Sequence, residues 1–227
     1  LLAKEGVNVL FSYSNKEKED IAEAFAKNLN IQYGIASLPI CMNLNESKHI
    51  SQVIQEALKE TSLDILINNA GVFTESPQID LSEEDWDRVM NVNVKGLWQV
   101  IRATQPYLEK SNGVIVNISS MNASRPGFGN TAHYDASKGA VSAYTRSLAK
   151  ELSAFGIRVN AVAPGLISSP SLLEYAGELV DSYISRAALH SLVDPVDIAH
   201  IVAFLSSPLS KAMTGEIVTA ECGYAMM

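Results

Sequence analysis

Cysteine is nearly absent from this chain of 227 residues, which has only Cys41 and Cys222. Two thiols so far apart make no disulfide framework, and neither belongs to a C-x-x-C pair. That excludes a disulfide-stapled scaffold, and the expected setting is reducing and cytoplasmic. No apolar run approaches the ~18 residues of a membrane span. Basic charge is the minority, with 17 Lys and Arg against 25 Asp and Glu and a net charge of -8. Non-specific nucleic-acid binding needs a basic face, so it is not expected. The four histidines, His49, His133, His190 and His200, are not clustered with cysteines or carboxylates at ligand spacing, and no metal site is expected. No G-x-S-x-G elbow occurs, which sets a serine hydrolase aside. No G-x-G-x-x-G opens a helix after a strand; "RPGFGN" (125–130) reads instead as a loop bordering substrate.

What is present is ordinary globular composition, 47% hydrophobic and 19% charged. The length suits one domain, 1–227. "LLAKEG" reads as a helix tail stopped by Gly6. Apolar, β-branched runs at 7–13, 35–43, 63–68, 113–119, 157–164 and 215–220 read as strands. Between them lie helical patterns at 16–29 (stripe Ile21, Phe25, Leu29), 46–60 (Ile50, Ile54, Leu58), 82–107, 133–155 (Val141, Tyr144, Leu148, Leu152) and 194–207. Strand and helix alternate, and the strands are apolar on both faces. That predicts an α/β fold with a doubly wound parallel sheet covered by helices on both sides. Ligands of such sheets bind beyond the C-terminal strand ends. The irregular stretch 166–193 is expected to form a short helical flap over that end.

Three strand ends carry small or hydrogen-bonding residues: Asn69-Ala70-Gly71, Ser120 and Pro164-Gly165. In "HYDASKGAV" (133–141), Tyr134 and Lys138 stand four apart at the start of a helix, on one face. A free phenol has a pKa of about 10 and proton exchange at neutral pH favours ~7, a shift of roughly 4 kcal/mol. One ammonium at ~5 Å in an effective dielectric of ~20 supplies about 3 kcal/mol. The spacing therefore predicts a phenol made acidic by its neighbour. Asn93, inside a helix at "NVNVKG", can disturb the backbone ladder and free a group to hold water.

"LINNAG" (66–71), "NVNVKG" (91–96), "ISS" (118–120), "YDASK" (134–138), "RVNAVAPG" (158–165) and "TGEIV" (214–218) resemble, in order and spacing, the short-chain dehydrogenases/reductases. The resemblance covers essentially the whole chain and implies a Rossmann-like fold. It implies that Tyr134 is the acid/base, that Lys138 lowers its pKa and holds the nicotinamide ribose, and that Ser120 hydrogen-bonds the reacting oxygen. Adjacent Ser119 leaves that choice to spacing. Asn93 would order a relay water. Asn69 would contact cofactor, Ile167 and Ser169 would line its nicotinamide end, and Asn43-Leu44 its adenine side.

The family's first strand and glycine-rich phosphate turn are not recognised in the sequence. About 20 N-terminal residues are therefore expected to be missing, judged from one strand–turn–helix unit, leaving a fragment that folds marginally, binds cofactor poorly and is itself inactive. At the end of the 7–13 strand, Tyr13, Ser14, Asn15 and Lys16 offer no carboxylate to a ribose. That favours NADP over NAD. "TAECGY" departs from the family's V-D-G-G and puts the turn at Glu221-Cys222 in doubt. The expected function is NAD(P)-dependent interconversion of a secondary alcohol and a ketone; the look is closest to 3-oxoacyl-carrier-protein reductases and sugar or polyol dehydrogenases. A degenerate, non-catalytic homologue acting through association is the alternative. The resemblance further implies a small carbonyl or alcohol substrate and a homotetramer or homodimer built on helices 82–107 and 134–152.

Overall fold

A computed structural model describes residues 1–46, 49–170, 172 and 177–226. Its strands are β1 (Val9–Tyr13), β2 (Ser37–Cys41), β3 (Ile65–Asn68), β4 (Val114–Ile118), β5 (Arg158–Pro164) and β6 (Ile217–Ala220). They form two sheets, β1-β2 and β3-β4-β5-β6, and every pairing in them is parallel. The helices are α1 (Glu19–Tyr33), α2 (Ile50–Ala57), α3 (Glu83–Met90), α4 (Leu97–Ser111), α5 (Ala132–Leu152), α6 (Gly177–Arg186) and α7 (Pro195–Ser206).

The expectation of a sheet missing its first strand is corrected. A first strand, β1, is formed and pairs with β2 in register from Val9↔Ser37 to Tyr13↔Cys41. It holds because α1 lays buried Ala22 and Ala26 towards the sheet while the ladder satisfies the backbone. The short helix Leu2–Glu5 ends at Gly6, whose φ of 81° is the left-handed stop read from the sequence.

The core follows from the apolar strands. On one face of the larger sheet, Ile115 and Val159 pack with Leu97, Ile101 and Leu108 of α4 and Val141, Leu148 and Leu152 of α5. On the other, Val116 and Val162 meet Ile198, Val202 and Leu205 of α7. Two-sided burial is why these strands read as continuous apolar runs. Ile50, Ile54 and Leu58 are buried as their stripe predicts. The α1 stripe is not: Ile21 and Phe25 are 71% and 52% exposed, and the small alanines face inward.

The helix expected at 82–107 is also interrupted. Ser82 caps α3 by accepting from Asp85 N–H, but residues Asn91–Gly96 form a π-helical turn before α4 begins. A widened turn leaves backbone groups out of the regular ladder, and such turns cluster at functional sites.

Candidate active site

The loops after β3 and β4, the end of β5 and the first turns of α5 converge on one small cavity. It has a volume of about 210 Å³ and is lined by Asn69, Gly71–Phe73, Ile118–Ser120, Tyr134, Lys138, Pro164, Gly165 and Ile167. A larger cleft of about 1320 Å³ adjoins it and shares Gly71 and Val72; its far wall runs over Tyr13–Lys16 and Cys41–Glu46.

Ser120 and Tyr134 line this cavity together, and Ser120 stands close enough to the phenol to favour its ionised form. Ser120 Oγ also accepts from Asn122 N–H at 3.2 Å. Ser119 is differently used: its hydroxyl donates to Lys138 O at 3.1 Å and lies 2.7 Å from Ser142 Oγ, inside the packing. Lys138 Nζ donates to Ile118 O at 2.9 Å and sits 5.7 Å from the centroid of the Tyr134 ring.

The electrostatics correct the sequence reading. Burial raises the Tyr134 phenol above its ordinary value, and Asp135 adds to the rise; the neighbouring Ser120 opposes it. Burial also pulls the Lys138 ammonium down from 10.5 to about 8. Both groups are pushed towards their neutral forms, because desolvation penalises any charge. Four positions of spacing bring the two side chains together, but the ammonium lies by the ring and bonds a carbonyl. The phenol of the free protein is thus not made more acidic.

Asn93 is buried in the π turn and its amide is fully engaged. Its Oδ1 accepts from Val72 N–H at 2.8 Å, and its Nδ2 donates to Val72 O at 2.9 Å and Ser137 Oγ at 3.0 Å. The side chain therefore ties the loop after β3 to α5, a task the sequence did not disclose. His133, buried beside Tyr134, places Nε2 2.7 Å from Thr74 Oγ1 and ties the same loop again. Asn68, Asn117 and Thr145 form a chain of side-chain bonds (2.8 and 2.9 Å) from β3 across β4 into α5. That chain holds the strand ends in depth.

The remaining anticipated residues divide. Asn43 and Leu44 line the large cleft, and Asn69 and Ile167 the small cavity. Ser169 is not among the lining residues of either; its Oγ accepts from Leu172 N–H at 3.2 Å. Of the flap expected at 166–193, Ile167 bridges Val193 and α6 is helical; residues 171 and 173–176 lie outside the described residues. At the departure from V-D-G-G, Cys222 takes a left-handed φ of 56° and Tyr183 Oη donates to Glu221 O at 2.6 Å. Phe73 was not anticipated: its ring stands edge-on to Tyr134 at 4.9 Å and is 54% exposed.

The two spaces fit a nicotinamide dinucleotide. At their junction Gly71 presents bare backbone, and a Cβ there would lie 3.2 Å from Asn93 Oδ1 and 3.6 Å from Lys138 Nζ. A side chain would fill the point where a ligand must pass Lys138. The far wall of the cleft carries Ser14, Asn15, Lys16 and Lys18, hydroxyl, amide and ammonium groups suited to a phosphate.

The family model described as enoyl-(acyl carrier protein) reductase matches residues 1–225. The chain is 34% identical to the 3-oxoacyl-[acyl-carrier-protein] reductase of Thermotoga maritima over 225 residues, 98% of this chain and 89% of that protein. A blue fluorescent protein from a metagenomic library, solved with NADPH, superposes with a TM-score of 0.90 at 32% identity, over 99% of this chain and 90% of that one. A Serratia marcescens short-chain dehydrogenase/reductase mutant gives 0.91 at 32%, over 99% and 90%. The family model matches residues 1–225, which corrects the expectation of a fragment too incomplete to carry the family's fold. With it goes the expectation of an inactive fragment: the site is assembled around a connected cleft and cavity.

Proposed function

The chain belongs to the short-chain dehydrogenase/reductase family and is an NAD(P)-dependent oxidoreductase of carbonyl and alcohol groups; on that premise we propose that it reduces a ketone with NADPH, using Tyr134 as proton donor. The observation that carries this reading is the convergence of Ser120, Tyr134 and the buried Lys138 ammonium on one cavity, where it opens into the cleft.

Bound NADPH would supply the hydride. Ser120 Oγ donates a hydrogen bond to the substrate oxygen and fixes it beside Tyr134. The phenol gives its proton to that oxygen as negative charge develops there. A phenol whose pKa is raised by burial is held protonated at neutral pH, which suits a donor in the reducing direction. Lys138 would hold the cofactor's ribose hydroxyls through its free N–H groups, and Asn93 keeps the loop carrying Val72 against α5. Asn43, Leu44, Asn69 and Ile167 border the cofactor's path. NADP is favoured over NAD because the relative with NADPH shares the fold and the far wall of the cleft carries Lys16 and Lys18.

A 3-oxoacyl thioester is the substrate class the curated relative suggests, and Phe73 gives the mouth an apolar side suited to an acyl chain. The enzyme works in the cytoplasm, in keeping with two free thiols. It forms a homodimer or homotetramer on α4 and α5, where Trp98 is 40% exposed. The test is NADPH consumption against 3-oxoacyl thioesters, cyclic ketones and sugars. Turnover of the thioester that disappears in Tyr134→Phe is expected. A Tyr134→Phe variant as active as the wild type would end the reading.

A further inference from the structure

Asp135 follows Tyr134 in the first turn of α5, and its carboxylate is committed in three directions. Oδ1 accepts from Asn122 Nδ2 at 2.8 Å. Oδ2 accepts from Gly127 N–H at 2.9 Å and from Thr131 Oγ1 at 3.2 Å. All three donors belong to the loop that leaves the end of β4 and returns to α5. Asn122 is also the residue whose backbone N–H bonds Ser120 Oγ at 3.2 Å. One residue thus holds the Ser120 hydroxyl with its backbone and Asp135 with its side chain.

We propose that Asp135 is a positioning residue, which clamps the 121–131 loop and, through Asn122, sets the Ser120 hydroxyl against Tyr134. This rests on the reading of Ser120 and Tyr134 given above. The clamp is a built site rather than a chance contact. A Cβ on Gly127 would lie 2.5 Å from Thr131 Oγ1 and 3.2 Å from Asp135 Oδ1, and closer still to Asn122 Nδ2, so the loop closes only on glycine. A carboxylate at a helix N-terminus is stabilised there by the unpaired N–H groups.

The clamp also reaches the substrate rim. Asn130 O accepts from Ser76 N–H at 2.8 Å, so the loop after β3 rests on the clamped loop. Phe128 stands between the clamp and the stacked Tyr183–Tyr224 pair, with ring centroids 6.2 and 5.7 Å away. A negative charge beside a proton donor makes that donor less acidic, and Asp135 does so to Tyr134. The carboxylate's contribution to turnover is therefore geometric.

The test compares wild type, Asp135→Ala, Asp135→Asn and Asn122→Ala, each also in a Ser120→Ala background, in the full chain. A misplacement near 1 Å costs about 100-fold, so Asp135→Ala is expected to lower kcat by about 10- to 100-fold. The NADPH dissociation constant, read by fluorescence, should stay within about twofold, since none of the clamp residues lines the cleft. Amide hydrogen exchange at Gly127, measured without cofactor, should speed up. Asp135→Asn keeps an acceptor and should recover part of the rate. In Ser120→Ala, removing Asp135 should cost less than about threefold further, because residues acting as a unit are non-additive. An equal loss in both backgrounds, or wild-type kcat in Asp135→Ala, overturns the proposal. If Asp135→Ala does not fold, Asn122→Ala cuts the same bond from the loop side and decides by the same criteria. A fully active Tyr134→Phe would instead strike at the functional reading beneath it.

Discussion

Replacing Lys138 with methionine should destroy turnover and change how the protein's stability depends on pH. The Lys138 ammonium is buried, and its folded pKa is about 8 against an ordinary 10.5. Between those values the unfolded chain holds more protons than the folded one, so this group's contribution to stability rises with pH. Below about pH 8 the full cost of keeping the charge inside applies. A shift of this size corresponds to roughly 3 kcal/mol, of which about 2 kcal/mol is relieved on going from pH 7 to 9.5. Methionine keeps the stem's bulk and removes the charge. It also leaves Ile118 O without the 2.9 Å bond from Nζ, which costs about 1–3 kcal/mol at any pH. The net change at pH 7 is therefore small, while the pH slope is diagnostic. Urea unfolding of both proteins at pH 7 and 9.5 measures it: the wild type should gain about 2 kcal/mol relative to Lys138→Met over that interval. Parallel stability curves would show that the amine is not desolvated, and the account of the site's electrostatics would fail.

Tyr134→Phe should lower kcat by about 100- to 10,000-fold with NADPH affinity kept, as read by cofactor fluorescence. In the reducing direction the wild-type rate should hold through neutral pH and fall on the alkaline side. The donor must be protonated and its pKa is raised by burial; alcohol oxidation should show the opposite limb, and steady-state profiles in both directions check it. Asn93→Ala frees Val72 N–H, Val72 O and Ser137 Oγ and should destabilise by about 2–4 kcal/mol in urea. Gly96→Ala would set a Cβ 2.9 Å from that of Leu44, which lines the cleft; a several-fold weaker NADPH binding is expected in a direct titration.

Much of the fold was legible because burial leaves a pattern. Strands covered on both faces must be apolar throughout, and Ile115, Val116, Val159 and Val162 are. The α1 stripe misled for the converse reason. Ile21, Phe25 and Leu29 share a face whatever packs there, and only the arrangement of α1 on the β1–β2 sheet turns Ala22 and Ala26 inward. The π turn at Asn91–Gly96 left one trace, an asparagine inside a helical pattern. The ties from Asn93 to Val72 and from His133 to Thr74 join residues 21 and 59 positions apart, and no local pattern encodes them.

Residue type and spacing along the chain determined the alternation of strand and helix, the family, and the pairing of Tyr134 with Lys138 on one helical face. They could not determine how acidic either group is. That depends on how much water remains around each charge and where the flexible lysine stem ends, against Ile118 O. Desolvation is a property of the assembled surroundings, contributed by β4, β5 and the loops as much as by α5. Only the tertiary structure decides it, and here it reverses the sign that spacing alone suggests.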